Sequence, residues 1–288
     1  MSEDPTLEGI DLDDLLDPAG LEEETEPPGS EPSEASVSVS FGEDWRHEPE
    51  STRAPATDPL SFDFALTFQA IAEDLHTHPR IHDVVANLNT PVSDFVIETI
   101  EDGLGFSVPS DLLSIYQQTD GLDLSWNWID DDGVKRPGGA FHLHSFGHLF
   151  GRWLDTLWVE DDALDEAALE LIWSLRGFDG HPHVDDEFKR VTGLVLERDA
   201  DPVLYTHHHR VGTHALRIGP IDYLYWALTA RGLPDWTLLA STYDLKADPL
   251  GIDPTEGLFD TLTTLFPEQD LGVFEHLIAP AASTGEEE

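Results

Sequence analysis

Residues 108–128 read VPSDLLSIYQQTDGLDLSWNW, and the spacing of the apolar residues changes midway through this stretch. Pro109 suits the start of a helix, and apolar positions then follow at helical spacing as far as Tyr116. Asp120 and Gly121 supply the chemistry that ends a helix and reverses the chain. Beyond them every second residue is apolar, which is typical of a strand with one buried face. The stretch therefore predicts a short helix, a tight turn and a core strand.

Similar patterns predict elements on both sides of this stretch. Apolar residues at helical spacing predict helices over residues 62–75, 94–101, 162–175, 220–231 and 254–266. Alternating or short apolar runs predict strands over residues 140–146, 191–197, 202–206 and 210–217. Helices come first, a run of strands follows, and helices come last. This order predicts an α+β fold with a mainly antiparallel or mixed sheet packed by helices.

The order of helix, Asp-Gly turn and core strand resembles that of the SUKH superfamily, which includes a yeast cell-wall assembly regulator and many bacterial immunity proteins. Residues 191–205 and 220–236 are similar to the late strands and the following helix of that family. Many members have Asn where this chain has Asp120, and both residues suit the turn. The resemblance covers residues 62–243 and implies a single SUKH-like domain. It also implies a protein-binding role, as an immunity protein or as a regulator.

Composition divides the chain into three parts. Residues 1–60 contain 18 acidic and two basic residues together with repeated Pro and Ser, and such a segment buries too little apolar surface to offset its ordering entropy. We therefore expect a disordered acidic tail there. Residues 61–245 are the expected globular domain, and residues 246–288 are expected to form a peripheral helix and a tail.

The charge balance restricts the classes of partner. The chain has 59 acidic and 14 basic residues, a formal net charge of −45, and only three lysines. Binding to nucleic acid or to an anionic membrane needs basic clusters, so both partners are disfavoured. A cationic protein is favoured instead. The alternative is that the acidity reflects a salty habitat or a general bias of the proteome.

The chain contains no cysteine, so it offers no disulfide and no thiolate ligand. Its first residues lack the basic and apolar regions of a secretory signal. No segment has the roughly 18 consecutive apolar residues that a membrane-spanning helix needs. The expected location is the cytoplasm.

Histidine is the residue type most able to form a chemical site, with 14 copies. His142 and His144 lie two residues apart on a predicted strand, so their rings share one side, and His148 follows four residues later. His207 and His209 could add ligands if their hairpin lay beside that strand. These five residues are weak candidates for a metal site, and a metal-dependent enzyme is one alternative function.

Other catalytic signatures are absent from the sequence. No lysine follows a glycine as a P-loop requires, and no G-x-S-x-G motif occurs. Acidic pairs are too common in this chain to indicate a glycosidase or a nuclease. We therefore expect a protein that is not an enzyme, without catalytic residues, cofactor or resident metal.

Two groups of residues are candidates for partner binding. Trp153 and Trp158 flank a stretch without clear periodicity, and exposed aromatic residues make good anchors for a partner. The acidic loop Asp130, Asp131 and Asp132 follows the first core strand. The leading interpretation is an immunity protein that neutralises a cationic toxin, as in a toxin–antitoxin pair. The alternative is a regulatory scaffold whose tails make the contacts, and no oligomeric state is predicted.

Overall fold

The computed structural model describes residues 63–150, 166–180, 190–198, 200–208, 211–233, 235–243 and 254–278. These residues all belong to one unit, Phe41–Glu288. The acidic tail predicted over residues 1–60 lies outside the described residues, so its predicted disorder stays a prediction.

The described residues form both helices and strands. The helices are α1 (Phe64–Thr77), α2 (Asp94–Leu104), α3 (Ser110–Tyr116), α4 (Phe146–Phe150), α5 (Glu166–Ser174), α6 (Pro220–Thr229), α7 (Trp236–Ala240), α8 (Pro254–Leu265) and α9 (Glu275–Ile278), with a 3₁₀ turn at Leu271–Phe274. The strands are β1 (Ile81–Leu88), β2 (Leu122–Ile129), β3 (Lys135–Leu143), β4 (Arg176–Gly180), β5 (Arg190–Val195), β6 (Val203–His208) and β7 (Gly212–Ala215).

Within the described residues the strands form a single seven-stranded sheet in the order β1-β2-β3-β4-β5-β6-β7. Each strand pairs antiparallel with the strand that follows it in the chain. The sheet is therefore an up-and-down meander with helices packed on it. The predicted α+β class and the antiparallel sheet are confirmed.

The stretch 108–128 folds as its pattern predicts, into α3, a turn and β2. Gly121 has a φ of +95°, and a Cβ there would lie 2.7 Å from the Leu143 carbonyl oxygen, so the turn needs glycine. Beside it, the Asp120 carboxylate accepts the Phe146 backbone N–H at 2.7 Å, at the start of α4. Tyr116 donates its hydroxyl proton to the His144 carbonyl oxygen at 2.9 Å. The turn thus joins α3 and β2 to the end of β3.

The core lies on one face of β2 and β3. Leu124, Trp126 and Phe141 are almost fully buried, and they belong to one apolar cluster with Tyr223 of α6 and Trp236 of α7. The side chains on the other face of both strands are mostly half-buried. This is the alternation expected for a sheet with one face against the core.

Several elements differ from the sequence-based predictions. Strand β1 was not predicted, because the apolar residues of Ile81–Leu88 do not alternate regularly with polar ones. Strand β4 was not predicted either, because Gly177 and Gly180 are poor strand formers. The predicted strand 140–146 is also too long at its end, since Phe146 begins α4. Strand β3 instead starts earlier, at Lys135.

The C-terminal helix is part of the core, which corrects the expectation of a peripheral helix within residues 246–288. Leu258, Leu262 and Leu265 of α8 are buried in the same apolar cluster as the sheet. His78 Nε2, just after α1, lies 2.9 Å from the Leu265 carbonyl oxygen. The physical reason is that these three leucines lie at helical spacing on one face of α8, and burying this face removes apolar surface from water.

Candidate functional site

The half-buried face of β2 and β3 carries the histidines. Asp123 of β2 pairs directly with His142 of β3, and Asn87 of β1 pairs with Asp123 on the other side. His144 follows β3, and His148 lies on α4. We call Asp123, His142, His144 and His148 the histidine cluster.

The rings of the cluster are in close contact. His142 Nδ1 contacts the Asp123 carboxylate, and His142 Nε2 lies 3.1 Å from His144 Nδ1. The His142 and His144 rings are nearly perpendicular, at 80°, with centroids 4.6 Å apart. The His148 ring instead stacks on the His144 ring, with an interplanar angle of 13° and centroids 4.2 Å apart. The predicted shared orientation of His142 and His144 on one side of the sheet is therefore observed.

Buried polar groups hold the backbone of the cluster. Asp179 of β4 is only 3% exposed, and its carboxylate accepts the His142 backbone N–H at 3.0 Å and the Tyr223 hydroxyl at 2.5 Å. The Tyr223 hydroxyl also lies 2.9 Å from Thr192 Oγ1. The backbone of His142 is therefore held by a hydrogen-bonded network that includes groups of β4, β5 and α6.

The pKa of His144 is lowered to about 3, mainly by burial and in addition by the neighbouring His142 and His148 rings. The cause is that a charged imidazolium loses hydration inside the cluster and meets two other imidazoles. His144 is therefore neutral at pH 7, with one ring nitrogen as a donor and the other as an acceptor.

The expected histidine ligands do not all meet. Among the described residues, no group of three or more His, Asp or Glu side chains is arranged to hold a metal ion. His207 lies on β6, three strands from β3, which is roughly 14 Å at the usual strand spacing. Its Nδ1 is 2.9 Å from Thr213 Oγ1. The hairpin therefore does not lie beside β3, and His209 is outside the described residues.

The acidic loop has a structural as well as a surface role. The Asp130 carboxylate accepts the backbone N–H groups of Asp132 and Val134 at 3.0 and 2.8 Å, and Arg136 at 2.8 Å. The hydrogen bond from Arg136 is the largest cause, and together these bonds hold the pKa of Asp130 below its usual value. Asp131 is 90% exposed and pairs with Arg80 at 3.0 Å. Asp131 and Asp132 are therefore presented to solvent, whereas Asp130 forms the turn.

The cations of the described region are engaged within the chain. Every Lys or Arg whose side chain the structure describes contacts a carboxylate or a backbone carbonyl of the same chain. The carboxylate pairs are Arg80–Asp131, Lys135–Asp83, Arg136–Asp130 and Arg231–Asp74. The carbonyl pairs include Arg80–Ile129, Arg176–Phe150, Arg198–Gly105, Arg217–Leu239 and Arg217–Leu277. In the described region the carboxylates outnumber the Lys and Arg side chains, so this region carries a net negative charge.

Sequence reasoning did not identify Asp123 or Asp179 as neighbours of the histidines. Asp123 is recognisable only once β2 and β3 are aligned, and their register shifts between Ser125 and Asn127. Asp179 lies on the unpredicted strand β4. The predicted partner-binding residues Trp153 and Trp158 lie outside the described residues.

Among the helices of the described region, none combines the length and the apolar character that crossing a bilayer requires. No family model, no curated protein and no solved structure matches the chain. The resemblance to the SUKH superfamily therefore stays a prediction.

Proposed function

We propose that this chain is a non-catalytic protein-binding module whose acidic surface engages a cationic protein. The observation that carries the proposal is the engagement of the described Lys and Arg side chains by the chain's own groups, in a protein with a net charge of −45. The SUKH-like pattern of residues 108–128 supports a more specific version. In that version the partner is a secreted toxin and the chain confers immunity to it.

The physical basis is long-range attraction. Carboxylates without an internal cation produce a negative potential that extends over about 10 Å at an ionic strength of about 0.1 M. Such a potential steers a cationic protein toward the surface and raises the association rate more than it slows dissociation. Rapid capture suits a protein that must intercept a toxin before the toxin acts.

The exposed Asp131 and Asp132 are suitable residues for a test, because they lie at the tip of the β2–β3 hairpin. Replacing both with lysine reverses local charge and removes the Asp131–Arg80 pair, and it leaves in place the Asp130 carboxylate that forms the turn. The matched control replaces both with glutamate, which keeps the charge. We expect slower association for the lysine variant and little change for the glutamate variant.

The experiment measures association of the full chain with a basic toxin encoded beside its gene, by stopped-flow or surface plasmon resonance. We expect the association rate constant to fall at least about tenfold between low salt and about 0.5 M NaCl, with a smaller change in dissociation. Absence of binding at low ionic strength, or binding that salt does not affect, would contradict the proposal.

A variant lacking residues 1–60 separates immunity from the scaffold alternative. An immunity protein that binds through its folded surface keeps its affinity when this segment is removed. Loss of binding in the shortened chain, with an unchanged circular dichroism spectrum, would support tail-mediated contacts instead.

A further inference from the structure

We propose that His142 and His144 form a two-histidine site for a late first-row divalent cation such as Zn²⁺, bound between His142 Nε2 and His144 Nδ1. The site lies on the half-buried face of β2 and β3 and does not depend on the protein-binding function. Imidazole is a preferred ligand of zinc, copper and nickel.

The distance between the two nitrogens fits one ion. With Zn–N bonds of about 2.0–2.1 Å in tetrahedral geometry, two imidazole nitrogens lie about 3.3–3.4 Å apart. In the structure His142 Nε2 and His144 Nδ1 are 3.1 Å apart. Binding of an ion therefore requires a separation larger by a few tenths of an ångström and the removal of the proton that now lies between the two nitrogens.

The ring planes also agree with shared coordination. A metal ion lies close to the plane of each imidazole that binds it, along the lone pair of the nitrogen. The His142 and His144 planes cross at 80°, so one ion can lie near both. The His148 ring is nearly parallel to His144 and 4.2 Å away, so its plane does not meet that ion. The described ligand set is thus a pair, in agreement with the absence of a three-residue group in the described region.

The carboxylate of Asp123 orients the first ligand. It contacts His142 Nδ1, which directs the N–H to the carboxylate and leaves the Nε2 lone pair facing His144. A carboxylate bound to the far nitrogen of a histidine ligand is a common arrangement around metal ions and increases the basicity of the ligand. The Asp179 carboxylate accepts the His142 backbone N–H, and the Tyr116 hydroxyl donates to the His144 carbonyl oxygen, which completes this support.

The site is open to solvent on one side. The side chains of His142 and Asp123 are 26% and 35% exposed. An ion bound by two histidines therefore keeps positions for water or for a group of a bound molecule. Binding requires His144 to carry its proton on Nε2, so that Nδ1 presents its lone pair to the ion.

The test is calorimetric titration of ZnCl₂ into untagged, chelator-treated full-length protein. We expect one site whose affinity falls at least tenfold in His142→Gln and in His144→Gln. For Asp123→Asn we expect a loss of about 10–100-fold. His148→Gln and His82→Gln are the matched controls, and both should keep the affinity of the unmodified chain. Circular dichroism and urea unfolding check that each variant is folded.

A second measurement keeps the result independent of other histidines on the surface. Electron paramagnetic resonance of one equivalent of Cu²⁺ should show coupling to two imidazole nitrogens, and this coupling should change in the His142 and His144 variants. Equal zinc affinity in folded His142→Gln, His144→Gln and unmodified protein would overturn the proposal. A copper spectrum that both substitutions leave unchanged would overturn it as well.

Discussion

The carboxylate of Asp179 connects the core of the protein to its histidine cluster. It is almost fully buried, and it accepts hydrogen bonds from the backbone of His142 and from the Tyr223 hydroxyl. A buried carboxylate needs such donors because its desolvation is costly. The same residue therefore stabilises the fold and sets the position of His142.

Replacing Tyr223 with phenylalanine removes one donor from Asp179 and leaves the ring in place. We expect the free energy of unfolding to fall by about 1–3 kcal/mol, the usual effect of removing a partner from a buried polar group. Urea denaturation followed by circular dichroism measures the change. Tyr205→Phe is the control, because Tyr205 of β6 is also a half-buried tyrosine. Equal stability of the Tyr223 variant and the unmodified protein would contradict this role of the hydroxyl.

The histidine cluster was predictable only in part. Residue parity alone shows that His142 and His144 share a side of a strand, since successive side chains point to opposite faces. Parity does not show which residue of the next strand lies opposite. That depends on strand register, and the β2–β3 pair contains an irregularity between Ser125 and Asn127. The pairing with Asp123 therefore required the structure.

At the level of elements, β3 lies in direct contact with the residues that follow α6, and the contact occurs at a glycine of β3. A Cβ on Gly139 would lie 2.0 Å from the Arg231 carbonyl oxygen and 2.6 Å from Trp126 Nε1. Trp126 donates its indole N–H to that same carbonyl at 2.8 Å, and the Ala140 N–H donates to the Gly232 carbonyl at 2.8 Å. Glycine is thus required for the strand and the helix end to approach.

Gly139→Ala should therefore separate β3 from the end of α6. We expect the free energy of unfolding to fall by at least about 1–3 kcal/mol, because added volume in a packed interior forces neighbouring groups to move. Thermal and urea unfolding measure the loss. Gly147→Ala is the matched control, since a Cβ there meets nothing within 4 Å and alanine favours the helix. Similar stabilities of the two variants would show that this close approach is not needed.

The predicted elements share strong apolar periodicity, and the missed ones lack it. Strand β3 starts with Lys135, Arg136 and Pro137, residues that do not indicate a strand from sequence alone. Strand β4 has five residues, two of them glycine. Their pairing is set by the neighbouring strands rather than by their own propensity. The helices α3 and α6, which bury a full apolar face, were predictable.

At the level of the whole molecule, the negative charge should limit stability. Excess like charges repel one another in the compact state. Raising NaCl from about 0.01 M to about 1 M shortens the screening length from about 30 Å to about 3 Å. We expect the thermal midpoint to rise by several degrees. Each gain of about 1 kcal/mol in the free energy of unfolding raises the midpoint by about 2–4 °C for a domain of this size.

Helix α2 offers a matched variant for this experiment. The exposed Glu98 lies four residues from both Asp94 and Asp102, and like charges at this spacing destabilise a helix. Glu98→Lys should raise the thermal midpoint at low salt and show a smaller response to NaCl. The midpoint of Glu98→Gln should lie between those of the lysine variant and the unmodified protein. Scanning calorimetry measures all three proteins. A midpoint that decreases with added NaCl would mean that internal ion pairs outweigh the repulsion.

The meander also determines when the protein can complete its fold during synthesis. Each strand pairs with the one made just before it, so the sheet can grow as the chain leaves the ribosome, with helices inserted between β1 and β2 and between β3 and β4. The core nevertheless remains uncovered until α8 emerges, because its leucines lie against residues made almost two hundred positions earlier. Nascent chains that stop before Pro254 should therefore bind chaperones and be sensitive to proteases. Chains that include α8 bury this core in one late step.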